Sequence, residues 1–156
     1  MPARLSERLG GRPAQQAPTT PAASRLAQAG DPALFGFSVR EHLYPGEDSF
    51  FKQNPTTGGM ASESGHIILN PYSPETVDRQ AVARNEALRL LFKREGVAPD
   101  FQITDQQRGA FQGTPYANDE QALRATIAAR IYSGDPSALA TDEQKAWLQQ
   151  YLMGRQ

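Results

Sequence analysis

The stretch 73–96, SPETVDRQAVARNEALRLLFKREG, contains the longest unbroken helical signal in the chain. Ser73 is a favourable N-cap, and Pro74 then falls at the first helical position, where its missing N–H costs nothing. Lys93 and Arg94 place positive charge in the last turn, and Gly96 can adopt the left-handed conformation that ends a helix. The apolar stripe at helical spacing comprises Val77, Ala81, Leu88, Leu91 and Phe92. The stretch therefore predicts one long amphipathic helix on which the other elements pack.

A capping-box pattern recurs downstream of this helix, with an N-cap residue followed three positions later by glutamine. The three pairs are Thr104 with Gln107, Asn118 with Gln121, and Thr141 with Gln144. Each pair precedes a helical stretch, and the second stretch ends at Ser133-Gly134-Asp135-Pro136, a Gly-then-Pro terminator. An apolar run at 66–69 predicts a strand or extended segment ahead of the long helix.

The sequence therefore predicts a mainly α fold, a small bundle of one long and three shorter helices over residues 66–156. A long, extended and mostly irregular arm over residues 1–65 is expected to precede it. Residues 1–33 are rich in Ala, Pro, Gln, Gly and Thr, a composition that opposes regular structure. An aromatic segment at 34–51 contains Tyr44-Pro45-Gly46-Glu47, which favours a turn, and 54–64 is typical of a flexible linker.

Large apolar side chains in this arm need burial. They can cover the helical domain of the same chain, or insert into a partner subunit, where aromatic residues are favoured anchors. The sequence leaves both alternatives open. The expected partner-binding residues under the second alternative are Leu5, Leu9, Leu26, Phe35, Phe37, Tyr44, Phe50 and Phe51.

Composition excludes several classes of function. Hydrophobic residues make up 38% of the 156 positions, and the net charge is −1. Because no excess of Lys and Arg is present, a nucleic-acid partner is not favoured. The absence of cysteine excludes disulfides, thiolate zinc sites and a cysteine nucleophile. No apolar run approaches the length of a bilayer span, so no membrane partner is expected.

No catalytic, cofactor-binding or metal-binding residues are predicted. His42 lies near Glu41, Glu47 and Asp48, but their spacing matches no ligand motif, and a solvated acidic loop explains them. The sequence has no phosphate-loop, dinucleotide-binding, zinc-protease or serine-hydrolase motif.

Two other classes remain as alternatives. Glu63-Ser64-Gly65 followed by Asn70-Pro71 is similar to the signature of lytic transglycosylases, which implies a peptidoglycan hydrolase with Glu63 as general acid. That family places the glutamate at the end of an apolar helix, and here a Gly-rich stretch precedes it. A small DNA-binding regulator would bind through Arg84 and Arg89 on the long helix.

Four stretches carry a further resemblance: IILNPYS (67–73), VARNEALRLLFKREG (82–96), GTPY (113–116) and ATIAARIYSGDP (125–136). They resemble a small virion-associated protein of tailed bacteriophages, particularly short-tailed ones. The resemblance covers about residues 66–145 and implies a non-enzymatic structural role in the virion, assembled in the host cytoplasm. It implies no cofactor and no catalytic residues.

The expected partners are other virion proteins, that is, portal, tail or capsid subunits, with several copies of the chain in a symmetric assembly. The leading expectation is an adaptor or attachment component at the portal or tail vertex, whose arm laces over its neighbours. A capsid decoration or cement protein is the alternative within the same class.

Overall fold

The computed structural model describes residues 32–62 and 64–154 of the chain. These residues are mainly α-helical, which confirms the predicted fold class at that level. Their helices are α1 (Pro45–Gln53), α2 (Arg79–Glu95), α3 (Asp105–Ala110), α4 (Glu120–Tyr132) and α5 (Asp142–Met153). Short 3-10 turns span Pro32–Leu34 and Pro136–Ala138, and two strands, β1 (Gly59–Ala61) and β2 (Ile67–Leu69), pair antiparallel. Residues 1–31 of the predicted arm lie outside the described residues.

The described chain divides into two compact units. The first ends at Ala87 and the second begins at Leu88, so the division falls within α2. The sequence predicts a boundary at 65/66 instead, and the β1–β2 hairpin pairs residues on both sides of that position.

The long helix begins later than predicted, at Arg79, and Ser73 is not its N-cap. The Ser73 hydroxyl instead donates to the carbonyl of Asn70 at 2.8 Å, which holds Ser73 in a turn. Asp78 takes over the capping role, because its carboxylate accepts the N–H of Ala81 at 3.1 Å. The end of the helix is as predicted. Gly96 has φ +65°, and the N–H of Val97 reaches back to the carbonyl of Phe92 at 3.0 Å.

The aromatic segment is also more regular than predicted, because the turn expected at 44–47 is the first turn of α1. Pro45 occupies the first helical position, and Glu47 and Asp48 place negative charge near the helix N-terminus. Phe35, Phe37 and Val39 alternate with Gly36 and Ser38, but residues 35–39 form no strand. Phe35 has φ +55° and ends a 3-10 turn, and only Val39 joins the sheet, through a parallel bridge to Ile67.

A small sheet and α1 enclose the core of the first unit. Leu43 and Phe51 pack with Ile68 of β2, while Met60 of β1 and Tyr72 cover this cluster. All three residues of β2 are buried, as its uninterrupted apolar sequence predicts.

Glycine is required in β1 because α2 approaches it closely. A Cβ at Gly59 would lie 2.7 Å from the Ile68 carbonyl oxygen and 2.8 Å from Val82. A Cβ at the preceding Gly58 would meet the same valine at 2.9 Å. The Gly-rich stretch that resembles a linker in sequence is therefore a packed hairpin strand.

Predicted caps start the helices of the second unit. Thr104 accepts the N–H of Gln107 at 3.0 Å, and Thr141 accepts the N–H of Gln144 at 3.1 Å, so both capping boxes are confirmed. The third is shifted by one residue, because Asp119 rather than Asn118 caps α4. Gly134, with φ +78°, ends α4 where the terminator was predicted.

An aromatic cluster joins the C-terminal part of α2 to α5 in the second unit. Trp147 stacks on Tyr151 at 5.5 Å and meets the edges of Phe92 and Phe101 at 6.0 and 5.7 Å. Phe92 and Phe101 are buried, so both belong to the core of this unit.

Candidate interaction surface

The predicted partner-binding aromatics of the first unit differ sharply in exposure. Phe51 is fully buried in the core of its own unit, so its side chain is not presented to a partner. Phe50, the next residue, is 42% exposed and contacts Phe51 edge-on at 5.9 Å between ring centroids. Phe35 and Phe37 are half-buried. The other predicted residues, Leu5, Leu9 and Leu26, lie outside the described residues.

Tyr44, the remaining predicted residue, is half-buried beneath an arginine. The guanidinium of Arg40 lies 4.1 Å from the centre of the Tyr44 ring, and it also binds both carboxylate oxygens of Glu47 at 3.0 and 2.7 Å. Glu47 in turn accepts the backbone N–H of Tyr44 at 2.8 Å. These contacts among Arg40, Tyr44 and Glu47 fix the N-terminus of α1, so Tyr44 has a local structural role.

A second polar cluster joins α1 to the loop after β2. The Tyr72 hydroxyl donates to the Asp48 carboxylate, which also pairs with Lys52 at 3.3 Å. The hydrogen bond to Asp48, reinforced by burial, raises the pKa of the Tyr72 phenol. The same carboxylate raises the pKa of Lys52 through its hydrogen bond and its charge. Both shifts favour the protonated forms of Tyr72 and Lys52, which suits an anchor more than an acid–base catalyst.

Asn70 organises the loop that leads to α2. It is fully buried, its amide donates to the Thr57 carbonyl at 2.7 Å, and its side-chain oxygen accepts the N–H of Tyr72 at 2.8 Å. Arg79 donates to the backbone carbonyl of Asn70 at 2.7 Å. This network positions the exposed surface of α1 relative to the hairpin within the first unit.

The turn between the two strands contains a chain of hydroxyl and imidazole groups. Ser62 and Ser64 hydroxyls lie 2.9 Å apart, and the Ser64 hydroxyl lies 2.9 Å from His66 Nδ1. Ser62 also accepts the backbone N–H of His66 at 3.0 Å, so the chain closes the turn. A catalytic serine needs its histidine oriented from the opposite ring nitrogen. Within residues 32–62 and 64–154, Nε2 of His66 has no hydrogen-bond partner.

The other residues considered for catalysis or metal binding are Glu63 and His42 with its acidic neighbours. Glu63, the residue of the hydrolase alternative, lies outside the described residues. His42 is exposed, and its neighbours Glu47 and Asp48 are engaged with Arg40 and Tyr72. In the part of the chain that the structure describes, no three His, Cys, Asp or Glu side chains are grouped to hold a metal ion.

The second unit contains one further feature of interest, a cavity of about 320 Å³. Its lining consists of Ile131, Gly134, Asp135, Pro136, Ala140 and Lys145. The Asp135 carboxylate already accepts the N–H of Ser137 at 2.9 Å and so caps a 3-10 turn. Asp135 therefore has a local structural role in this lining.

The arginines of the DNA-binding alternative lie in different units. Arg84 is half-buried on the first part of α2, and Arg89, in the second unit, lies 5.5 Å from the centre of the Tyr116 ring. The connection over 96–104 separates α2 from α3 without the tight turn of a helix-turn-helix.

Comparison with protein-family models, with curated proteins and with solved structures finds no match to this chain. Among the described residues, no helix is both long enough and apolar enough to cross a bilayer.

Two features of this surface escaped sequence reasoning. The exposure of Phe50 depends on which side of α1 faces the core, and the sequence of α1 favours a turn at 44–47. The Tyr72–Asp48 contact joins residues far apart in the chain. A proline at the first helical position followed by Glu47 and Asp48 was the one local signal that could have revealed α1.

Proposed function

We propose that this protein is a non-enzymatic structural protein of a bacteriophage virion, which assembles with other virion proteins through protein–protein contacts. It would act at the portal or tail vertex, as an adaptor or attachment component. The observation that carries the proposal is the exposed Phe50 beside the buried Phe51.

Phe50 is presented by the geometry of α1. Successive residues of an α-helix point about 100° apart, so a helix that buries Phe51 in the core directs Phe50 outward. Gly46 and Gln53, four and three positions from Phe50 on α1, are uncharged and exposed, and Glu47, three positions before it, is paired with Arg40. A large aromatic side chain exposed on a helix is the kind of residue expected of an interface anchor.

The resemblance to a protein of short-tailed bacteriophages over residues 66–145 supports the proposal that the chain belongs to a virion. The Pro- and Ala-rich sequence of residues 1–31 suits an arm that gains order on neighbouring subunits.

The proposal is tested by quantitative mass spectrometry of gradient-purified particles of the phage that encodes the chain. Wild-type protein should be present in a fixed number of copies per particle. Phe50→Gln should reduce that number several-fold, because it removes an apolar anchor at an exposed site without emptying the core. Met153→Gln is the matched control, since Met153 is 62% exposed on α5 in the other unit.

Two results would contradict the proposal. One is the absence of the chain from purified particles. The other is unchanged incorporation of the Phe50→Gln protein, provided that its circular dichroism spectrum shows that it is folded.

A further inference from the structure

Among residues 32–62 and 64–154, strand β1 lies at the edge of its sheet. Two hydrogen bonds flank its pairing with β2, from Asn70 N–H to the Gly58 carbonyl and from Ser62 N–H to the His66 carbonyl, both 2.8 Å. Bonded and non-bonded residue pairs alternate along an antiparallel ladder, so Met60 is the residue bonded to Ile68. The backbone N–H and C=O groups of Gly59 and Ala61 therefore point away from β2.

The two edges of this sheet differ in whether their outward backbone groups are hydrogen-bonded. On the β2 side, Arg40 N–H donates to the Ile67 carbonyl at 2.8 Å, and Ile67 N–H donates to the Ser38 carbonyl at 2.9 Å. An extended piece of chain therefore already occupies that edge. On the β1 side, the outward groups of Gly59 and Ala61 have no hydrogen-bond partner among residues 32–62 and 64–154.

The open edge lacks the features that prevent strands from pairing. Natural edge strands are protected by charged side chains, by proline or by bulges. Residues 53–62, QNPTTGGMAS, contain no charge, and their proline precedes the strand. Gly59 has no side chain, Ala61 is exposed, and the Met60 side chain packs toward the core cluster. An approaching strand therefore meets neither charge nor bulk at Gly59 and Ala61.

The outward N–H and C=O groups of β1 can pair with the same groups of a second, identical strand. If an identical strand approaches antiparallel with Met60 opposite the partner's Met60, Gly59 lies opposite the partner's Ala61, and Ala61 lies opposite the partner's Gly59. Both are then bonded pairs, and all the outward N–H and C=O groups are satisfied around a two-fold axis. We propose that β1 pairs with β1 of a second copy of this chain in this register.

The proposed pairing needs only copies of this chain and no other virion protein. Its failure would therefore leave the proposed function standing, and failure of the proposed function would leave the pairing standing. A ladder this short buries little surface, and the association in solution is therefore expected to be weak. It would be favoured where copies are already held close together, as in a ring or lattice.

The test is a concentration series of the full-length protein, from micromolar to millimolar, followed by two-dimensional NMR of its backbone amides. Shift changes should be confined to the amides around β1, and hydrogen exchange at Ala61 should slow as concentration rises. Ala61→Pro should abolish both effects. It removes the outward N–H and leaves the bonds that Met60 and Ser62 make to the hairpin intact.

A charge exchange provides the matched control. Ala61→Lys and Ala61→Glu should each abolish pairing, since like charges become diagonal neighbours across the two-fold axis, and a mixture of the two proteins should restore it. Ala110→Lys, at an exposed alanine of α3, should leave the association unchanged.

Three results would overturn the proposal. Spectra independent of concentration would exclude pairing. A concentration dependence that survives Ala61→Pro would place the contact elsewhere. Slow exchange of Ala61 at every concentration would mean that another segment of the same chain covers the edge.

Discussion

The side-chain amides of Gln107 and Gln144 form a closed reciprocal pair. Nε2 of Gln107 donates to Oε1 of Gln144 at 2.7 Å, and Nε2 of Gln144 donates to Oε1 of Gln107 at 2.8 Å. Each Oε1 also accepts the N–H of its own N-cap residue, Thr104 or Thr141, at 3.0 and 3.1 Å. The two side chains are fully buried, so one pair caps two helices and joins α3 to α5.

Removal of either glutamine should therefore be costly. Gln107→Ala or Gln144→Ala leaves buried partners unsatisfied and weakens a cap, and each should lower the free energy of unfolding by about 2–3 kcal/mol. The double variant should lose about 1 kcal/mol less than the sum, because the second change removes a group that the first left unpaired. Urea unfolding measures all three values.

Gln106→Ala is the control, since Gln106 is an exposed neighbour on the same helix and should change stability by under about 0.5 kcal/mol. Strictly additive losses would show that the two amides do not interact.

The neighbouring phenylalanines of α1 should respond very differently to truncation. Phe51→Ala should cost about 3–5 kcal/mol, because it opens a cavity between Leu43 and Ile68. Phe50→Ala removes a partly exposed ring and should cost under about 1 kcal/mol. Chemical unfolding measures the loss of stability in each variant. Equal losses would contradict the placement of Phe51 in the core and Phe50 at the surface.

Two glycine-to-alanine changes should have opposite signs. At Gly59 the new methyl group would press on the Ile68 carbonyl and Val82, and the expected loss is about 1–3 kcal/mol. At Gly109, inside α3, nothing lies within 4 Å of the new carbon, and a gain of about 0.5–1 kcal/mol is expected. Thermal unfolding followed by circular dichroism distinguishes them, and a tolerated Gly59→Ala would contradict the close contact of α2 with β1.

The Tyr72–Asp48 contact should make stability depend on alkaline pH. Because the hydrogen bond to Asp48 raises the folded-state pKa of Tyr72, its contribution is complete below the unfolded-state pKa of about 10. The contribution is lost as the pH rises through the folded-state value. Absorbance titration of the phenols should show Tyr72 ionising late, and Asp48→Asn should bring its pKa down. An unchanged titration in that variant would exclude Asp48 as the cause.

Local signals predicted the helix ends of the second unit well. Thr104, Thr141, Gly96 and Gly134 act through contacts within a few residues, so the sequence pattern contains the whole interaction. Where two adjacent residues can both cap, as at Asn118 and Asp119, local pattern does not decide, and the structure uses the second.

Long-range contacts account for the errors. Ser73 has every property of an N-cap, but the buried Asn70 network holds it in a turn, and that network depends on Thr57. The Gly-rich sequence of β1 is typical of a linker, because the need for glycine there arises only from the close approach of β2 and Val82. The reciprocal glutamine pair was equally hidden, because each capping box predicts its own helix and not the other.

The most direct test of the central claim, that Phe50 anchors the protein in a virion, is photocrosslinking from that position. Phe50 is replaced by benzoylphenylalanine, and both the free protein and gradient-purified particles are irradiated and analysed by mass spectrometry. Crosslinks from position 50 to another virion protein, found in particles and not in the free protein, are the predicted result. Particles that contain the chain but give no intermolecular crosslink from position 50 would contradict the account.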